Sequence, residues 1–179
     1  MSDTPSERVW IANKPEDRLK IATFRFLKSA LVPPFYVVSI QDADGGGRSD
    51  LQRIRDANKG IVSGQLDMEI SQGPPPLIRK LELKRGRNKP TEHQLKTIAD
   101  LTACGAPPIV AWSLREVHDG LFIAGFVFLP NWRTTLAHME AQLEAWDRQA
   151  SDIKSGATVR KPSKPRGPRV RPGLSWIRP

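Results

Sequence analysis

Apolar residues recur along this chain with two different periods, and the switches between them divide it into elements. From Pro15 onward, Leu19, Ala22, Phe26 and Ala30 return every three or four residues, the spacing of one helix face, until Pro33-Pro34 halts the pattern. Pro15 suits the first helical position, and Glu16 and Asp17 fall in the first turn, where the helix dipole favours carboxylates. Phe35 to Ile40 is aromatic and β-branched, the composition of a short strand. Asp44 to Arg48, with three consecutive glycines, reads as a loop, and Ser49 to Ala57 as a short polar helix. Strands are predicted over Leu66 to Ile70 and Leu77 to Lys84, separated by the breaker Gly73-Pro74-Pro75-Pro76.

Thr91 then opens a helix with Leu95, Ile98, Ala99 and Leu101 on one face, and Gly105 closes it. Pro108 to Trp112 reads as a fourth, buried strand, Leu114 to Asp119 as a short helix, and Leu121 to Leu129 as a strand-like stretch covering a sheet edge. Leu136, Met139, Leu143 and Trp146 predict a final helix over about residues 133 to 149. No internal repeat is visible. The order helix, strand, strand, strand, helix, strand predicts an α/β domain over residues 1 to 150, a mixed sheet flanked by helices with a hairpin at its centre. A chain of 179 residues is long enough for one such core and short for two.

Composition narrows the setting. The longest apolar run, Leu121 to Leu129, is far below the roughly 18 residues that cross a bilayer, so no membrane helix is expected. The N-terminus lacks a basic stretch followed by an apolar one, and the single Cys104 has neither a disulfide partner nor a zinc-binding set, so a cytoplasmic location is expected. The net charge of +9 points to a polyanionic partner. Residues 151 to 179 hold eight Lys and Arg against Asp152, a balance of +7, which leaves +2 for the first 150 residues. That segment also holds five prolines, and such composition cannot bury enough apolar surface to order itself. It is expected to be a disordered basic tail. One reading of it is a DNA-binding arm, with Lys161, Lys164, Arg166, Arg169 and Arg171 on phosphates; the other is a solubilising or protein-binding tail.

The chemistry lies around the proline turn. If the chain reverses between residues 74 and 75, residues whose numbers add to 149 face one another, and Asp67 and Glu82 are such a pair. Strand alternation puts Glu82 and Lys84 on one face, with Leu81 and Leu83 on the other. Two converging carboxylates invite a hard divalent cation, Mg²⁺ or Mn²⁺, which polarises a phosphodiester oxygen and acidifies a water, while Lys84 offsets developing charge. Taken alone, Glu82-Leu83-Lys84 equally describes an exposed strand of alternating charge. Arg48, after its glycines, either anchors a phosphate or decorates a surface loop. His93, His118 and His138 share no metal spacing, and four of the five tryptophans read as core, Trp176 being placed to stack on bases.

Several motifs occur in a fixed order: Gly45-Gly46-Gly47-Arg48, Lys59 to Gly64, Gly64-Gln65-Leu66-Asp67, Glu82-Leu83-Lys84, Gln94 at a helix start, and Cys104-Gly105 before a buried strand. This order, spanning about residues 16 to 120, resembles the VRR-NUC group of PD-(D/E)XK nucleases of phage and prophage type. Leu66 stands where that family usually carries proline. The resemblance implies a restriction-endonuclease-like core (αβββαβ), Mg²⁺ or Mn²⁺ dependence and endonuclease action on DNA, structure-specific on branched DNA in some members. It also implies that Asp67, Glu82 and the Leu83 carbonyl hold metal, that Lys84 is catalytic and that Gln94 belongs to the active site. Glu16 matches a helix-one carboxylate near the metal in related nucleases, although acidic residues are ordinary in a first turn. Gln94 has a second reading as well, since Thr91 and Gln94 form a capping-box pair. A homodimer is expected by analogy with small nucleases that cut two strands. The rival from another class is a DNA-binding or packaging accessory protein that keeps the fold without the chemistry.

Overall fold

The computed structural model describes residues 15–40 and 64–155. Helix α1 (Pro15–Ala30) leads to strand β1 (Phe35–Ser39); β2 (Met68–Gln72) and β3 (Leu77–Leu83) follow. Helix α2 (Glu92–Ala103), strand β4 (Ile109–Ala111), helix α3 (Leu114–Ile123) and helix α4 (Trp132–Lys154) complete the order. The strands form one mixed sheet in the order β1-β2-β3-β4, antiparallel across the first two pairs and parallel between β3 and β4. The long connection that parallel pairing requires is supplied by α2. The chain is thus α/β, with a four-stranded mixed sheet flanked by helices.

Alternation decides what the sheet buries. Val37, Ile70, Met68, Leu81, Leu83 and Ala111 point to one face and are almost wholly buried. They join Leu19, Ala22, Phe26 and Leu27 of α1, Leu114, Val117 and Leu121 of α3, and Leu136, Met139 and Leu143 of α4 in a single core. Truncating a fully buried member such as Leu81 to alanine should cost about 2–5 kcal/mol. Glu82 points to the opposite face, which α2 reaches with Gln94.

Three expectations need correction. The stretch Leu121 to Leu129 is not a strand: α3 continues to Ile123, and the extended remainder makes one bridge, Phe128 to Leu31. The helix continues because Leu114, Val117 and Leu121 form one stripe, and because Gly120 packs against Ile109, where an added Cβ would come within 2.8 Å of a methyl. What holds the extended part is Gln72, whose amide donates to Val32 O and Val127 O and accepts from Val127 N. The final helix extends beyond residue 149 to Lys154, so the first residues assigned to the tail are helical. In α2 the apolar positions are not the buried ones: Leu95 is 53% exposed, whereas Gln94 is buried. Gly105 does close α2, at φ 78°, with the Ala106 N–H bonded to Leu101 O.

Arg48, Ser49 to Ala57, Trp10, Trp176 and the basic residues Lys161, Lys164, Arg166, Arg169 and Arg171 lie outside the described residues. No helix among the described residues is long and apolar enough to cross a membrane.

Candidate active site

The hairpin places the acidic pair. In the β2–β3 ladder Met68 faces Leu81 and Glu69 faces Lys80, so facing residues add to 149 as the proline turn implies. Asp67 stands one residue ahead of that ladder. Its Oδ2 accepts the Leu83 N–H at 2.8 Å, and its backbone carbonyl accepts Ile40 N–H at 2.8 Å. The carboxylate therefore spans the end of the hairpin instead of pointing freely into solvent.

Glu82, at 1% exposure, is the least accessible carboxylate of the site. Its Oε1 receives both the Lys84 ammonium at 2.7 Å and the Gln94 Nε2 at 2.7 Å. Its Oε2 is buried without a hydrogen-bond partner among the described residues. Burial pushes the Glu82 carboxyl up to about 7; the neighbouring Asp67 charge adds to the rise, and the Lys84 hydrogen bond opposes it. An orphaned, desolvated carboxylate oxygen is costly unless something else occupies the site.

Gln94 caps α2 and contacts Glu82 at the same time. Its Oε1 accepts the Thr91 N–H at 2.9 Å while the Thr91 hydroxyl accepts the Gln94 N–H at 3.3 Å, a complete capping box. The amide nitrogen remains free and donates to Glu82. An amide can do both because its acceptor and donor ends are separate atoms. The N-terminus of α2 is held against the β2 side by Gly64, at φ 80°, whose missing side chain would otherwise stand 2.6 Å from the His93 backbone carbon.

Sequence reasoning missed Lys20. Its ammonium, on α1, donates to Asp67 Oδ1 at 3.0 Å and to Ile40 O at 2.9 Å. Lys20 lies one turn beyond Glu16 but 47 residues from Asp67, so only an expected approach of α1 to the hairpin end could have revealed it. Glu16 itself is half-buried and accepts Asn88 Nδ2 at 2.9 Å, engaged with the loop after β3 and not with the acidic pair. His118 is buried against Trp132 at 3.7 Å between ring centroids, and His93 and His138 are exposed, so no histidine joins the site.

Asp67, Glu82, Lys84 and Gln94 therefore converge, joined by Lys20 and by the Leu83 backbone. Among the described residues no three His, Cys, Asp or Glu side chains cluster as a metal set. A cation here would rest on two carboxylates, a backbone carbonyl and water, and Mg²⁺ is commonly held by one or two carboxylates with several waters retained. The donors are hard oxygens, and one of them, Glu82 Oε2, has no partner among the described residues. The residues present fit such an ion. Scans against models of protein families, against curated proteins and against solved structures each return no match.

Proposed function

We propose that this chain is a metal-dependent DNA endonuclease of the PD-(D/E)XK kind, similar to the VRR-NUC group, with a restriction-endonuclease-like core. The observation that carries this reading is the bracketing of Glu82 between Lys84 and Gln94, beside Asp67, with one carboxylate oxygen left unpartnered. Asp67, Glu82 and the Leu83 carbonyl would hold Mg²⁺ or Mn²⁺. When bound, the ion would supply positive charge to a phosphodiester oxygen and lower the pKa of a water. Lys84 keeps an ammonium proton aimed at this point and can donate it toward charge that builds up on the phosphate. Gln94 orients Glu82, and Lys20 orients Asp67. The overall change is addition of water across a P–O ester bond, which yields a phosphate monoester and a hydroxyl.

One observation favours a second reading. Lysine ammoniums already sit on both carboxylates, which a protein without catalysis could retain simply to balance buried charge. Such a protein would bind DNA or serve in packaging. Cleavage of duplex, single-stranded, flap and four-way DNA by the purified chain separates the two. Cleavage is expected with Mg²⁺ or Mn²⁺, should stop with chelator, and should fall by about 100-fold or more in Asp67→Ala and Lys84→Ala. Unchanged cleavage in either variant would place the reaction elsewhere; intact protein that cuts none of these substrates would favour the accessory reading.

A further inference from the structure

The sequence after β3 reads Lys84-Arg85-Gly86-Arg87-Asn88-Lys89-Pro90, four cations and no acid in seven residues. Two of the four are engaged within the protein. Lys84 pairs with Glu82, and Arg85 turns inward onto Asp147 of α4, which also accepts Arg18 Nε at 2.8 Å. Arg87 and Lys89 are exposed, and neither head group has a partner among the described residues.

The turn that carries them is held in place. The Asn88 N–H bonds to Arg85 O at 3.2 Å, Asn88 O accepts the Trp112 indole N–H at 3.0 Å, and Asn88 Nδ2 donates to Glu16. Gly86 supplies the left-handed conformation, at φ 62°, that reverses the chain. Both ends of the connection are anchored on one atom, since Lys84 and Gln94 each bond Glu82 Oε1 at 2.7 Å. Neither Arg87 nor Lys89 is more than five residues from one of these anchors. An extended chain of that length reaches about 17 Å at most, which spans roughly five phosphates of one DNA strand at its rise per nucleotide.

We propose that this turn is a phosphate clamp: Arg87 and Lys89 grip the nucleic-acid backbone on the flank of the bond that the Glu82 site hydrolyses. The inference rests on the proposed function for its substrate, and on the turn's own geometry for the contact. Fixing the turn through Asn88 lowers the entropy that the two side chains lose on binding, which a charged run on a loose loop would lose in full. Backbone phosphates are the ligand class because what the turn presents is two exposed cations, Arg87 and Lys89, which neutralise phosphate charge. Contacts of this kind position DNA and carry no sequence information directly.

The test measures binding of the full chain to a labelled DNA duplex in Ca²⁺ across a salt series, for wild type, Arg87→Ala/Lys89→Ala and, as a control, Arg148→Ala on the exposed side of α4. Losing two phosphate contacts should weaken binding by about tenfold or more at low salt and reduce the slope of log K against log salt by up to about 1.8. Arg148→Ala should change neither. The melting temperature of the double variant should stay at the wild-type value, because both side chains are exposed and have no partner among the described residues. If affinity and slope match wild type, the clamp is wrong, whether or not the protein cleaves. If the double variant loses binding while wild type cuts no DNA with Mg²⁺ or Mn²⁺, the clamp stands and the hydrolytic reading falls.

Discussion

Glu82 concentrates the site's energetics in one side chain. Burial favours its neutral form in the folded protein, so its carboxyl titrates near 7 against an ordinary 4.5. A group whose folded pKa is raised contributes stability that is complete below about pH 4.5 and is lost as pH rises through about 7. In chelator, thermal stability should therefore fall across this window, by a difference on the order of 3 kcal/mol at most. Glu82→Gln keeps an acceptor for Lys84 without the charge, and should melt with no such decline; an equal decline in the variant would assign the pH dependence to other groups. Gln94 offers a second dissection, because its two ends do different work. Gln94→Glu preserves an acceptor for the Thr91 N–H but sets a carboxylate against Glu82. Cleavage should collapse in that variant with most of the cap's roughly 1 kcal/mol retained, whereas Gln94→Ala should lose both. Full activity in Gln94→Glu would show that the donor to Glu82 is dispensable.

Elements bring these residues together, and one glycine holds two of them at the required distance. Gly64→Ala would force a Cβ to within 2.6 Å of the His93 backbone at a positive φ, where neither backbone can yield cheaply. The variant should be destabilised by about 2 kcal/mol or more, as read by chemical denaturation, and should lose cleavage as the N-terminus of α2 moves off Glu82. Wild-type stability would mean that the close approach is relieved by a small shift. The hairpin register was legible only on the supposition that the chain reverses between residues 74 and 75, because so long and proline-rich a turn does not fix it; the pairing of Met68 with Leu81 does, and it keeps Leu81 and Leu83 on the core face. The cap at Thr91 was legible because its signals are local. Lys20 was not, since helical periodicity describes a face and says nothing of which strand end that face meets. Nor was the full length of α3, since Leu121 to Leu129 read as one strand-like stretch, whereas the helix runs on to Ile123 with Gly120 packed against Ile109. The apolar residues of α2 misled for a related reason: its N-terminus, through Gln94, serves the polar face of the sheet, and Leu95 is left exposed.

At the scale of the whole molecule, charge is segregated, and the described domain carries little of it. Residues 156 to 179 hold seven Lys and Arg and no acidic residue, against a net +9 for the chain. Because α4 runs to Lys154, truncation after residue 155 removes this segment and leaves α4 whole. If the segment binds phosphates, its deletion should weaken DNA binding and lower the salt slope by up to about 6, since each phosphate neutralised on duplex DNA contributes about 0.9. The turn at Arg87 and Lys89 belongs to the domain and should continue to contribute its smaller share. The two losses should therefore add in slope when truncation is combined with Arg87→Ala/Lys89→Ala, because counterion release counts phosphates contacted and not the route by which they are reached. Melting of the truncated chain should match that of the full chain, since the core formed by the described residues is left whole. A truncated protein with the full-length salt slope would assign the basic segment a purpose other than DNA, and the turn alone would then account for how the domain holds its substrate.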